Sequence, residues 1–219
     1  MTSFFFRILM LLMPVLAMSQ VADRLVFQPA IKVSWNPASR WSFNTAVEQR
    51  TQINDDAQAI SMQLTQFGQY EVGFYSQIGI GVMYRELFDD NLPEEVRFME
   101  QYVYTKKYNQ LQLAHRLRWD QRLRGDRLTH RWRYRLSGSI PLNGNDLNPS
   151  EYYVVSHLET LFIAEDGLRP IYEQRVGLGI GRQIGSNYKL QFNTQYRWLD
   201  ITAATTTSLF LNVALYASL

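Results

Sequence analysis

The sequence predicts an all-β chain: an antiparallel up-and-down transmembrane β-barrel of 10 or 12 strands, preceded by a cleaved signal peptide. Three observations carry that reading. Apolar residues recur at every second position along the chain after residue 19, the segments so patterned are long enough to cross a bilayer, and several carry arginines on the face opposite the apolar one.

The N-terminus comes first. Arg7 is the only charged residue among the first nineteen, and an apolar run from Ile8 to Leu16 follows it. That run is far shorter than the roughly 20 residues a membrane-spanning helix needs. Small residues at Ala17 and Ser19 place a signal-peptidase cut after Ser19, so residues 1–19 read as a signal peptide and 20–219 as one barrel domain. The formal charge of +2 falls to about +1 once Arg7 is removed, which excludes nucleic acid as an electrostatic partner. The chain has no cysteine, so it is neither an acylated lipoprotein nor disulfide-stapled.

The strands follow in order. Leu25, Phe27, Ile31 and Val33 alternate with Val26, Gln28, Ala30 and Lys32, and a turn at Asn36-Pro37-Ala38-Ser39 leads to Trp41, Phe43, Thr45 and Val47. Ile78, Ile80, Val82 and Tyr84 alternate with Gly79, Gly81, Met83 and Arg85. Leu111 to Asp120 and Leu128 to Ile140 form a hairpin pattern around Arg124-Gly125-Asp126-Arg127, where Gly and Asp are turn residues. Val176, Leu178 and Ile180 alternate with Arg175, Gly177, Gly179 and Gly181, and Tyr188, Leu190, Phe192, Tyr196 and Trp198 alternate with polar partners. Less clean strands fall near 60–72, 95–105, 151–162 and 206–219. The last alternates through Leu211, Val213, Leu215, Ala217 and Leu219, as expected of a closing strand read by barrel-assembly machinery. The segments number about eleven, and because bacterial single-chain barrels have even counts the expectation is ten or twelve. Either a strand is hidden around Pro141 to Tyr153, or the first segment is not part of the wall.

Aromatic residues make up 14% of the chain and stand at strand ends. Trp35, Trp41, Tyr70, Phe74, Tyr75, Tyr104, Tyr108 and Tyr188 mark one boundary, and Tyr84, Phe88, Trp119, Trp132, Phe162, Tyr172 and Trp198 the other. Such rings prefer the headgroup level of a bilayer.

In the hairpin, setting Leu123 opposite Leu128 places Asp120 opposite Arg131, Arg118 opposite Arg133 and Arg116 opposite Arg135, all on one face. An arginine turned to lipid at mid-membrane costs about 2–4 kcal/mol. Five of them would cost on the order of 10 kcal/mol, as much as a whole domain's stability. They must therefore face the lumen. The expected lumen-facing charged network is Glu48, Arg50, Arg97, Arg116, Arg118, Asp120, Arg122, Arg131, Arg133, Arg135, Glu159, Arg175 and Arg197, salt-bridged within itself, with Glu71 also inward and Arg97 meeting Asp120. His115, His130 and Glu100 fall on the lipid-side face and strain the assignment unless a bulge re-aims one of them.

No catalytic, cofactor or metal constellation emerges. His157 and Glu159 share a face without an evident nucleophile, no Gly-x-Ser-x-Gly elbow occurs, and Gly177, Gly179 and Gly181 lie inside a strand rather than before a helix. The runs Leu117-Arg118-Trp119-Asp120-Gln121-Arg122, Arg131-Trp132-Arg133-Tyr134-Arg135-Leu136 with Pro141, and Val47-Glu48-Gln49-Arg50, together with Glu159, resemble the uncharacterised outer-membrane β-barrel family called domain of unknown function 2490. The resemblance covers Leu25 to Leu219 and implies a barrel in the outer membrane, with no assigned reaction or ligand; Asp120 stands where that family would carry glutamate. The expected function is an integral outer-membrane barrel acting as narrow channel, scaffold or anchor. Its partners are outer-membrane lipid and, during biogenesis, the assembly machinery. The alternatives are a soluble secreted lipocalin-like carrier and an outer-membrane hydrolase.

Overall fold

Alternating side chains leave one face of each segment apolar, and a long sheet of such segments has no free edge only when it closes on itself. The computed structural model, which describes residues 22–54, 57–89 and 91–219, is such a closed sheet. The expected signal peptide, residues 1–19, lies outside the described residues. Eleven strands form the wall: β1 (Arg24–Ala38), β2 (Trp41–Gln52), β3 (Gln58–Gly73), β4 (Ser76–Leu87), β5 (Glu95–Tyr108), β6 (Leu111–Arg124), β7 (Arg127–Pro141), β8 (Tyr152–Glu165), β9 (Ile171–Ile184), β10 (Tyr188–Leu199) and β11 (Thr206–Ser218). They run to between 12 and 16 residues, beyond the roughly 9–11 that a tilted strand needs to cross a bilayer.

The strand count corrects the expectation of ten or twelve. No further strand lies around 142–151, and the first segment is fully in the wall. The count has a topological consequence. An odd number of strands running alternately up and down leaves the first and last pointing the same way, so β1 and β11 must close the barrel in parallel. They do so in unbroken register from Arg24 opposite Ser208 to Ser34 opposite Ser218, while every other neighbouring pair is antiparallel. The fold is thus up-and-down but not wholly antiparallel. A side-chain clip supports the seam at one rim. The Asp23 carboxylate accepts from the Thr207 backbone N–H at 2.7 Å and from its hydroxyl at 2.9 Å, which holds the Asp23 carboxyl below its ordinary range.

The β6–β7 hairpin has the register expected from its turn, with Leu123 opposite Leu128, Asp120 opposite Arg131 and Arg116 opposite Arg135. Gly125 supplies the positive φ of 56° that the two-residue loop demands. Irregular register is confined to the pairs β1–β2, β2–β3 and β3–β4. No bulge therefore re-aims His115, His130 or Glu100, and all three stay on the outer face. His115 Nδ1 lies 2.8 Å from the Tyr134 hydroxyl, and the His130 ring stacks between Trp119 and Trp132 with centroids 5.7 and 5.8 Å away.

Burial inverts the usual order. Glu95, Asp120 and Glu159 are 0% exposed, whereas Ile80 on the outer wall is 72% exposed. The interior also holds a few apolar groups, among them Leu161 and the cluster of Phe67, Met83 and Met99. Glycines on β4 and β9 admit the larger inward side chains of neighbouring strands, which lie flat against the wall. A Cβ at Gly181 would come within 2.2 Å of the Tyr153 ring, and one at Gly177 within 2.0 Å of the His157 ring. Gly181→Ala should therefore lower unfolding stability by about 1–3 kcal/mol through overpacking. Adding Tyr153→Leu should recover part of that loss, as read from the urea midpoint of the folded barrel.

Candidate functional site

The interior charges are placed by strand parity. Even positions of β1, β2, β6 and β11 point inward, as do odd positions of β3, β4, β5, β7, β8, β9 and β10, and hydrogen-bonded register links these positions into rows around the wall. One row runs Arg116, Arg135, Glu159, Arg175 and Arg197 across β6 to β10. Another runs Glu48, Gln63, Arg85, Glu95 and Arg124 across β2 to β6. Charges from separate stretches of sequence thus meet along a row.

Most of the buried carboxylates gather several donors, whereas Asp120 has one, with its Oδ1 unpartnered among the described residues. Glu159 faces Arg135 at 2.8 Å and Arg116 and Arg175 at 3.3 Å each. Glu95 faces Arg97, Arg85 at 3.2 Å and Arg124 at 2.5 Å. Glu173 binds Arg175 at 2.6 Å and reaches Arg131 at 4.0 Å, and Asp120 pairs with Arg133. Glu48 takes Lys32 at 3.5 Å and the amides of Gln28 and Gln63 at 2.5 and 2.7 Å.

Of the thirteen residues singled out from the sequence, Arg50, Arg118, Arg122 and Arg197 have no carboxylate within ion-pair distance among the described residues. Arg118 is held by Gln101 at 2.7 Å and lies over the Phe67 ring, and Arg122 reaches the Thr129 hydroxyl at 3.4 Å. Arg197 donates to Gln195 at 2.7 Å. Arg97 does not meet Asp120. Register sets it opposite Arg122 and sets Asp120 opposite Met99, so Arg97 turns to Glu95, two residues back on its own strand and face. Glu71 stands exposed at a rim, beside a polar hollow of about 690 Å³ that also involves Arg40, Ser42, Asn44 and Gln77.

Sequence reasoning missed Glu95, Glu173, Arg85, Arg124 and Lys32. A usable signal was present for the two acids, since Glu95 and Glu173 lie two positions before Arg97 and Arg175 and must share their face. In sum, twelve arginines (Arg50, Arg85, Arg97, Arg116, Arg118, Arg122, Arg124, Arg131, Arg133, Arg135, Arg175 and Arg197) point into the barrel between its rims. Five carboxylates (Glu48, Glu95, Asp120, Glu159 and Glu173) stand against them, and a sixth inward acid, Glu165, is taken by Arg127 at the rim and by Thr129. The network is internally paired only in part.

This array can hold anions through guanidinium forks. His157 Nε2 lies 2.6 Å from the Gln195 amide nitrogen rather than beside a nucleophile, and no metal-holding group of His, Cys, Asp or Glu occurs among the described residues. Fold and site together define a closed β-barrel with a charged interior and an apolar outer wall. The profile of the family described as Protein of unknown function (DUF2490) matches residues 27–208, and the chain belongs to that family. No curated protein and no solved structure matches it.

Because Glu159 sits between three arginines, Glu159→Gln should cost about 3–5 kcal/mol, the usual loss when one member of a buried ion cluster is removed. Glu71→Gln at the exposed rim should change stability by less than about 0.5 kcal/mol. Equilibrium unfolding of the two variants side by side measures the contrast.

Proposed function

We propose that this chain is an integral outer-membrane β-barrel whose charged, largely filled interior makes it a narrow channel, scaffold or anchor. The observation that carries this reading is the inverted burial: apolar side chains cover the outside while arginines and carboxylates fill the inside. Ile31, Leu64, Ile80, Leu117, Leu178 and Phe192 are all exposed on the outer wall. Water would penalise such a continuous apolar belt, and hydrocarbon would not.

Aromatic rows support the same reading. Trp41 lies against Tyr70 with ring centroids 5.0 Å apart near one rim. Farther down the wall Trp119, Trp132, Phe162 and Tyr172 form a continuous row across β6 to β9, with centroid spacings of 6.3, 5.6 and 5.1 Å. Lys106 sits over the rings of Tyr75 and Tyr108, a pairing suited to a headgroup boundary. A soluble carrier of apolar ligands would need the opposite arrangement, with an apolar interior and a polar coat. Partners on this reading are outer-membrane lipid and the assembly machinery that inserts barrels. The odd strand count departs from the even numbers general among bacterial barrels, and parallel closure of β1 on β11 accommodates it.

Two measurements test the assignment. Mature protein should stay in the membrane pellet after an alkaline carbonate wash and migrate differently on a gel when unheated; release into the soluble fraction would overturn the proposal. Ile80→Arg separates the two environments energetically. In a bilayer it should cost about 2–4 kcal/mol of folding stability, whereas at an exposed position in water the cost should be within about 0.5 kcal/mol.

A further inference from the structure

The barrel interior carries more positive charge than its own carboxylates neutralise, and the excess has a definite place. Twelve inward arginines stand against five acids, with Glu165 and Arg127 pairing nearer the rim, and each of those acids already has a cationic partner. Arg50 of β2 and Arg197 of β10 both approach the Phe210 ring on β11, their guanidinium carbons 5.6 and 3.4 Å from its centroid. Neither has a carboxylate within ion-pair distance among the described residues. Arg197 spends one donor on Gln195, while the Arg50 guanidinium makes no hydrogen bond among the described residues and its Nε is buried. The nearest acids along these strands and their neighbours are committed elsewhere: Glu48 to Lys32 and two glutamine amides, Glu173 to Arg175.

A guanidinium carries five N–H donors and no acceptor, so two of them converging on an aromatic floor present a concentration of unused donors. Like charges held this close repel, and the apolar ring beneath them weakens screening. A tetrahedral oxyanion has the charge to relieve the repulsion and paired oxygens spaced to meet each guanidinium fork. We propose that Arg50 and Arg197, over Phe210, form a binding site for a phosphate-class oxyanion inside the barrel. The inference rests on the closed barrel and its interior charges, and not on the barrel's residence in a membrane.

The test uses the full folded chain, in detergent micelles or, should it be soluble, in buffer alone. Inorganic phosphate is titrated against chloride at constant ionic strength, with binding followed by equilibrium dialysis and by the thermal unfolding midpoint. The expected result is saturable binding of about one phosphate per chain and a midpoint that rises with phosphate but not with chloride. Arg50→Gln and Arg197→Gln should each weaken binding by about tenfold or more, and Arg40→Gln at the rim should leave it unchanged. If a glutamine variant does not fold, Arg50→Lys keeps the charge but loses the fork, and it too should bind more weakly. Absence of saturable phosphate binding by the unaltered chain, or binding that survives all three interior substitutions, would overturn the site. Phosphate binding by a chain that stays soluble without detergent would support the site while removing the membrane assignment.

Discussion

Closure of the sheet between β1 and β11 is the constraint on which the rest depends. An open sheet of this length would leave two rows of backbone N–H and C=O groups without partners, and it would have no inside. Once the seam pairs from Arg24 and Ser208 to Ser34 and Ser218, every side chain in the wall is committed to one face by parity alone. A slip of one residue anywhere would send arginines outward and isoleucines inward. The charged interior, the apolar wall and the aromatic rows are three readings of that single registration.

The interior then has to accommodate charge out of contact with water. A buried ion pair rarely contributes net stability over an apolar pair of the same volume, yet losing one member of it is costly. Glu95 and Glu159 each gather three arginines from different strands, so they tie together segments that backbone hydrogen bonding links only pairwise. Glutamines add further acceptors: Gln63 supplements Glu95 at Arg85, and Gln101 serves Arg118, which lacks an acid among the described residues, each accepting two hydrogen bonds from one guanidinium. This arrangement specifies the arrangement of strands more than it strengthens it. It also sets an electrostatic character that the near-neutral chain as a whole conceals.

Much of this was legible in the sequence because period-two patterning maps directly onto the faces of a sheet. The register of β6 on β7 followed from Gly125 and Asp126 in the turn, and the inward placement of Arg116, Arg118, Arg133 and Arg135 followed from the register. Partner choice was less legible. Arg97 turns to Glu95 rather than Asp120 because the offset of β5 against β6 sets Met99, not Arg97, beside Asp120, and offsets between strands joined by plain loops leave little trace in the residues. The odd strand number, by contrast, was legible, since the alternating segments number about eleven. The expectation of ten or twelve came from a general rule of even counts that this chain does not follow, because β1 and β11 close the sheet in parallel. The surplus of arginine over acid was already present in the residues singled out from the sequence, and adding Glu95, Glu173, Arg85 and Arg124 leaves it in place.

The odd number of strands has a consequence for the two ends of the chain. In a barrel with an even count the first and last strands begin and finish at the same rim. Here Arg24 leads into the wall at one rim and Ser218 leaves it at the other. Anything joined ahead of β1 and anything joined after β11 would therefore emerge into different spaces, separated by the barrel itself. A wall that spans a bilayer would thus give its two termini different addresses.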